Sequence, residues 1–133
     1  MDYKGYRITE EKDRVIIDNV RDFNPVHIFE SGQSFRWLKE KDGSYTGVAK
    51  GRVVNISHED GLIIKNSNMQ DFIDIWYDYF DLGTDYAQIR EQLAKDDIMK
   101  EAMEFGYGIR LLRQDLWETL ISFIISSNNM IPR

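Results

Sequence analysis

Cysteine is absent from this 133-residue chain, which excludes a disulfide framework and any thiolate metal site within it. Histidine is nearly as scarce: His27 and His58 stand alone, in no ligand-spaced motif, and no metal site is expected. Proline occurs only at Pro25 and Pro132, and long apolar runs do not occur. No segment approaches the ~18 apolar residues that a membrane span needs. The opening MDYKGYRITEEKDR also lacks the apolar stretch of a signal peptide. Neither G-x-x-x-x-G-K-[ST] nor G-x-G-x-x-G is present, so a phosphate-cradling site has no support and no cofactor is expected. Positive charge is in short supply, 17 Lys and Arg against 23 Asp and Glu, for a net charge of −6. That deficit weighs against phosphate contacts, but it is uneven. The acidic excess precedes Gly108, whereas 108–133 carries Arg110, Arg113 and Arg133 against Asp115 and Glu118.

Hydrophobic residues make up 42% of the chain and aromatics 13%, enough for a core and too much for global disorder. The length fits one domain plus the first helix of a second. Val15, Ile16 and Ile17 mark a strand over 13–18. Asn24-Pro25 supplies an N-cap and a proline at the first helical position, opening a short helix through Val26, Ile28 and Phe29. Strand candidates follow at 34–39, 45–50, 52–57 and 62–65, separated by Asp42-Gly43, Lys50-Gly51 and Asp60-Gly61. Hairpins in series predict one antiparallel sheet of about five strands.

Beyond Asn66-Ser67-Asn68 the period changes from 2 to 3.6. Phe72, Ile75, Trp76, Tyr79 and Phe80 share a helical face, with Asp71, Asp74 and Asp78 on a solvated one. Thr84 is the expected cap of a helix carrying Tyr86, Ile89 and Leu93. The next, with Ile98, Met99, Ala102 and Phe105, is expected to end at Gly106. Asp115 and Glu118 form an acidic capping box before a last helix. Strands followed by helices read as α+β, with helices over 69–106 covering the sheet. In the last helix Trp117, Leu120, Ile121, Ile124 and Ile125 make an apolar stripe wider than one sheet contact requires. Such a surface predicts self-association through the 115–127 helix, or disorder near the chain's end.

Two segments stand out as candidate sites. In Gly32-Gln33-Ser34-Phe35-Arg36-Trp37 the glycine reads as a helix terminator at C′, with Phe35 and Trp37 on one core-facing strand side. A glycine there also leaves a backbone carbonyl unshielded, open to a planar ligand. Ser126-Ser127-Asn128-Asn129, with Arg133 beyond, reads as a helix C-terminus. It also reads as a polar tip on an apolar stem, able to insert and address hydrogen-bonding edges.

Together, GQSFRW at 32–37 and GIRLLRQDLWETLISFIISSNNMIPR at 108–133 closely resemble the N-terminal half of 8-oxoguanine DNA glycosylases of the Ogg family. These are bifunctional base-excision enzymes with a helix-hairpin-helix catalytic core. The resemblance implies a curved antiparallel sheet with helices, like half of a TATA-binding protein, over 1–107. The start of a truncated helical catalytic domain would occupy 108–133. It implies that the Gly32 carbonyl accepts a hydrogen bond from N7–H of flipped 8-oxoguanine, a proton that guanine lacks. It further implies that Asn128, beside Asn129, enters the duplex to bond the orphaned cytosine, and that Arg133 reads the same base. Met130 and Pro132 depart from the family's third Asn and small residue. Phe35, Arg36 and Trp37 are expected to be scaffold.

The family's catalytic lysine and aspartate follow a hairpin of L-P-G-V-G type that this chain lacks. The chain is therefore expected to be the inactive front of a larger intracellular repair enzyme, cytoplasmic or nucleoid-associated in a prokaryote. Its expected partner is duplex DNA holding 8-oxoguanine opposite cytosine. A non-enzymatic protein- or DNA-binding module and an alkylated-base glycosylase are the competing readings.

Overall fold

In the computed structural model, which describes residues 1–127, alternation of apolar and polar residues builds seven strands. They are β1 (Asp2–Tyr3), β2 (Tyr6–Glu10), β3 (Arg14–Asp18), β4 (Trp37–Lys39), β5 (Tyr45–Ala49), β6 (Arg52–His58) and β7 (Gly61–Lys65). All pair antiparallel, in the order β1-β2-β3-β7-β6-β5-β4. The meander β4–β7 matches the hairpins read from the sequence, and β7 closes it against β3 with Ile17 opposite Leu62 and Val15 opposite Ile64. Two further strands, β1 and β2, extend the sheet beyond the five that the sequence predicts. The β1–β2 hairpin turns at Lys4-Gly5, where both φ angles are positive (47° and 91°). Lys50-Gly51 turns the same way, with φ of 53° and 74°, and is the tight turn that suits a twisted hairpin.

One sheet face carries Ile8, Val15, Ile17, Tyr45, Val54, Ile56, Leu62 and Ile64, all buried. Helix α1 (Pro25–Phe29) starts as expected, with the Asn24 side chain accepting the Val26 N–H at 3.0 Å. The main cover is a helical run of α2 (Met69–Asp71), a π segment (Phe72–Trp76) and α3 (Tyr77–Tyr79). Phe72, Trp76, Tyr79 and Phe80 from this run are buried, with Trp76 stacked at a tilt on Phe80 at 5.9 Å.

The helices α4 (Tyr86–Leu93) and α5 (Asp97–Phe105) contribute no buried residue. The cover on the sheet is thus narrower than the 69–106 expected. The cap of α4 is Asp85, whose carboxylate accepts the Gln88 N–H at 3.0 Å; Thr84 donates instead to Asp81 at 2.8 Å. Gly106 caps α5 as the sequence implied. Helix α6 (Leu116–Ser126) starts at Asp115, which accepts the Glu118 N–H at 2.9 Å. Among the described residues no helix is long and apolar enough to cross a membrane.

Candidate functional site

Gly32 lies two residues past the α1 cap at Glu30, with φ of 88°. The expected C′ position is therefore taken by Ser31, and the left-handed turn at Gly32 belongs to the loop rather than to the cap. No described residue donates to the Gly32 carbonyl. A groove of ≈ 600 Å³ opens beside the glycine, lined by Phe29, Glu30, Ser34, Trp37 and Tyr45 among others. Tyr45 donates its phenol proton to Glu30 on this wall; burial, aided by that bond and by the Glu30 charge, pushes the Tyr45 pKa up.

The loop's conformation comes from a segment distant in sequence. Gln33 Nε2–H donates to the Arg110 carbonyl at 2.6 Å, and Gln33 Oε1 accepts the Leu112 N–H at 2.9 Å. Gln114 donates back to the Gln33 carbonyl at 2.6 Å. Further along, Arg36 pairs with Glu118 at 2.6 Å, and the Phe35 ring meets Phe123 edge-on at 6.5 Å. Strand β4 begins only at Trp37, so Phe35 does not share its core-facing side. Trp37 is buried, stacked on Phe29 at 4.3 Å, and its indole N–H donates to Tyr79 at 3.3 Å. Phe35 and Arg36 instead tie the loop to α6 across a cleft of ≈ 360 Å³.

The linker is itself anchored. Arg110, only 3% exposed, donates to the carbonyls of Arg21 (2.9 Å), Asp22 (2.8 Å) and Asp81 (2.8 Å) and stacks over Tyr86. Burial lowers its pKa, with opposing help from Tyr6, Tyr86, Asp22 and Asp81. Arg113 pairs with Asp81 at 3.2 Å and lies 3.9 Å from Asp78. Two of the three arginines that tilt 108–133 toward positive charge therefore face inward partners. Asp22 also engages Arg90 in an ion pair.

Helix α6 buries none of its residues; Leu116 is 86% and Trp117 71% exposed. Asn128, Asn129 and Arg133, the expected opposite-base readers, lie outside the described residues. His27 Nδ1 and His58 Nε2 each lie 2.7 Å from a carbonyl, of Tyr107 and Val20, so those nitrogens carry the proton. Among the described residues no group of three or more His, Asp or Glu is placed to hold a metal ion.

Sequence reasoning singled out Gly32 but not Gln33, Gln114 or the Arg36–Glu118 pair. Apart from a long bond to Ser31 at 3.4 Å, the partners of Gln33 lie 77 to 81 residues away, and no spacing rule connects such positions.

Residues 15–120 match the family model described as 8-oxoguanine DNA glycosylase, N-terminal domain. The chain is 30% identical over its whole length to the N-glycosylase/DNA lyase of Saccharomyces cerevisiae, of which it covers 37%. It is 30% identical over 79% of its length to the N-glycosylase/DNA lyase OGG1 of Arabidopsis thaliana, covering 31% of that protein. Among solved structures, MBOgg1 in complex with a low-affinity DNA ligand superimposes with a TM-score of 0.92 and 61% identity, over 96% of this chain and 44% of the other. The Clostridium acetobutylicum 8-oxoguanine glycosylase/lyase bound to duplex DNA with cytosine opposite 8-oxoG gives 0.91 and 45%, over 95% of this chain and 44% of the other. The chain thus spans less than half the length of the relatives it matches. It belongs to the 8-oxoguanine DNA glycosylase family and carries that family's N-terminal domain.

Proposed function

We propose that this chain is the lesion-reading N-terminal part of a bifunctional glycosylase and abasic-site lyase that removes 8-oxoguanine paired with cytosine. The observation that carries the proposal is the Gly32 loop. Its glycine has a positive φ, has no described donor on its carbonyl, and borders an open groove. A carbonyl so placed accepts N7–H of the oxidised base, whereas guanine presents a lone pair there and is repelled. Helix α6 then acts as the stem that delivers Asn128, Asn129 and Arg133 to the vacated cytosine. Amide and guanidinium groups suit that edge because they offer several directed donors.

The division of labour follows the chain. Residues 1–107 form the sheet domain and 108–133 open the helical catalytic domain. The nucleophilic lysine and its aspartate come from the remainder of the parent protein, where the lysine amine forms a Schiff base with the sugar C1′. No cofactor or metal is needed for that chemistry. The work is done on DNA inside the cell.

Borohydride trapping on duplex DNA tests this. The full-length protein is expected to give a covalent adduct with 8-oxoguanine opposite cytosine, carried on a peptide outside residues 1–133, while this chain alone gives none. Release of 8-oxoguanine without any trapped adduct would point to a glycosylase lacking the lysine mechanism and overturn the lyase assignment.

A further inference from the structure

Gln33 presents both ends of its side-chain amide to one stretch of backbone. The Arg110 carbonyl and the Leu112 N–H lie two residues apart on the linker, and the planar amide pairs with both, at 2.6 Å and 2.9 Å. A neighbouring strand would make the same pair of bonds. Gln114 completes the clamp by donating to the Gln33 carbonyl at 2.6 Å. The linker that holds Gln33 is itself tied to the domain. Leu112 is buried, Arg110 sits in its ring of carbonyls, and the Arg113 N–H donates to the Tyr79 carbonyl at 2.9 Å.

The consequence falls on the preceding peptide. The Gly32 carbonyl and the Gln33 N–H share one plane. Glycine by itself leaves that plane free to rotate, because without Cβ its φ and ψ are both weakly restricted. Gln33, fixed through its side chain and its own carbonyl, removes that freedom. We infer that Gln33 and Gln114 are a positioning pair that sets the direction of the Gly32 carbonyl and thereby the efficiency with which an oxidised purine is recognised. The inference rests on the lesion-reading role proposed for Gly32. Neither glutamine touches the base; each acts through the peptide it holds. A loop released from the clamp presents the acceptor correctly for only part of the time, and recognition weakens by that fraction.

The test uses the full-length protein with Gln33→Met and Gln114→Met, which keep side-chain length and lose the amide. Single-turnover release of 8-oxoguanine is compared with scission at a preformed abasic site in the same duplex, which offers Gly32 no base to read. Gln33→Met is expected to slow base release roughly tenfold, with abasic-site scission within about twofold of the native rate. Gln114→Met should shift the same ratio in the same direction, by less. Amide exchange at Leu112 reports the clamp independently and should accelerate in Gln33→Met. Unchanged base release despite faster Leu112 exchange overturns the positioning role, as do equal losses on both substrates. Unchanged Leu112 exchange overturns the clamp itself. A native protein that released guanine as readily as 8-oxoguanine would instead overturn the reading of Gly32.

Discussion

The Asn24 amide donates to the Gly108 carbonyl at 2.8 Å, tying the start of α1 to the start of the linker. The contact leaves no room for a side chain. A Cβ on Gly108 would lie 2.6 Å from the Asn24 Cβ and 2.7 Å from its amide nitrogen, at a φ of 85°. Gly108→Ala is expected to destabilise the fold by about 2–4 kcal/mol in urea unfolding. Gly5→Ala is the control. Its φ of 91° is equally left-handed, but a Cβ there meets nothing within 4 Å, so only the backbone strain of about 1 kcal/mol should appear. Equal losses at the two positions would show that crowding at Asn24 is unimportant.

Arg110 joins the loop at 21–22, the turn at 80–81 and the linker through backbone carbonyls. Removing the guanidinium leaves those acceptors without their donor at a position where the Arg110 side chain itself is almost wholly buried. Arg110→Met should cost roughly 3 kcal/mol or more by denaturant titration. Arg113, itself more than half exposed, pairs with the largely buried Asp81 and lies near the exposed Asp78; because Thr84 and Tyr86 still donate to Asp81, the same substitution there should cost only about 1 kcal/mol.

Burial raises the Tyr79 phenol to about 12, outweighing the hydrogen bond from Trp37 that pulls it down. The folded state thus holds the proton more tightly than the unfolded chain, whose tyrosine titrates near 10. The stabilisation is complete below pH 10 and is lost as pH rises through about 12. Tyr79→Phe should flatten that part of the stability profile while forfeiting the Trp37 bond. An unaltered alkaline limb in the variant would mean that another group controls it.

Leu116, Trp117, Leu120, Phe123, Ile124 and Ile125 are exposed along α6. An apolar face of this extent is expected to drive self-association of the 133-residue chain. Sedimentation should show a concentration-dependent oligomer that Trp117→Glu with Ile124→Glu converts to monomer. A native chain that stays monomeric at high concentration would contradict the expectation.

Local chemistry made much of the fold legible. Asn24-Pro25 caps α1, Gly106 ends α5, Asp115 opens α6, and the hydrophobic spacing of Phe72, Trp76, Tyr79 and Phe80 identified the face that covers the sheet. The β1–β2 hairpin was missed because its strands are short and charged, although Lys4-Gly5 repeats the dipeptide that turns β5 into β6. Thr84 and Asp85 both offer a side-chain oxygen ahead of α4, and only the backbone path decides that Asp85 is the one that accepts. At the site, the glycine was legible and its support was not. A positive φ leaves a trace in residue type, whereas the bonds from Gln33 to Arg110 and Leu112 arise only when the chain folds back over almost 80 residues.

Gly32→Ala in the full-length protein tests most directly whether the Gly32 carbonyl reads the lesion. Binding to duplexes containing 8-oxoguanine or guanine opposite cytosine should be compared, with abasic-site scission as the check that the variant is folded. Discrimination between the two bases is expected to fall by about 1–3 kcal/mol, the cost of an unsatisfied polar contact, while scission persists. Full discrimination in a folded Gly32→Ala protein would contradict the account and leave the glycine a turn residue alone.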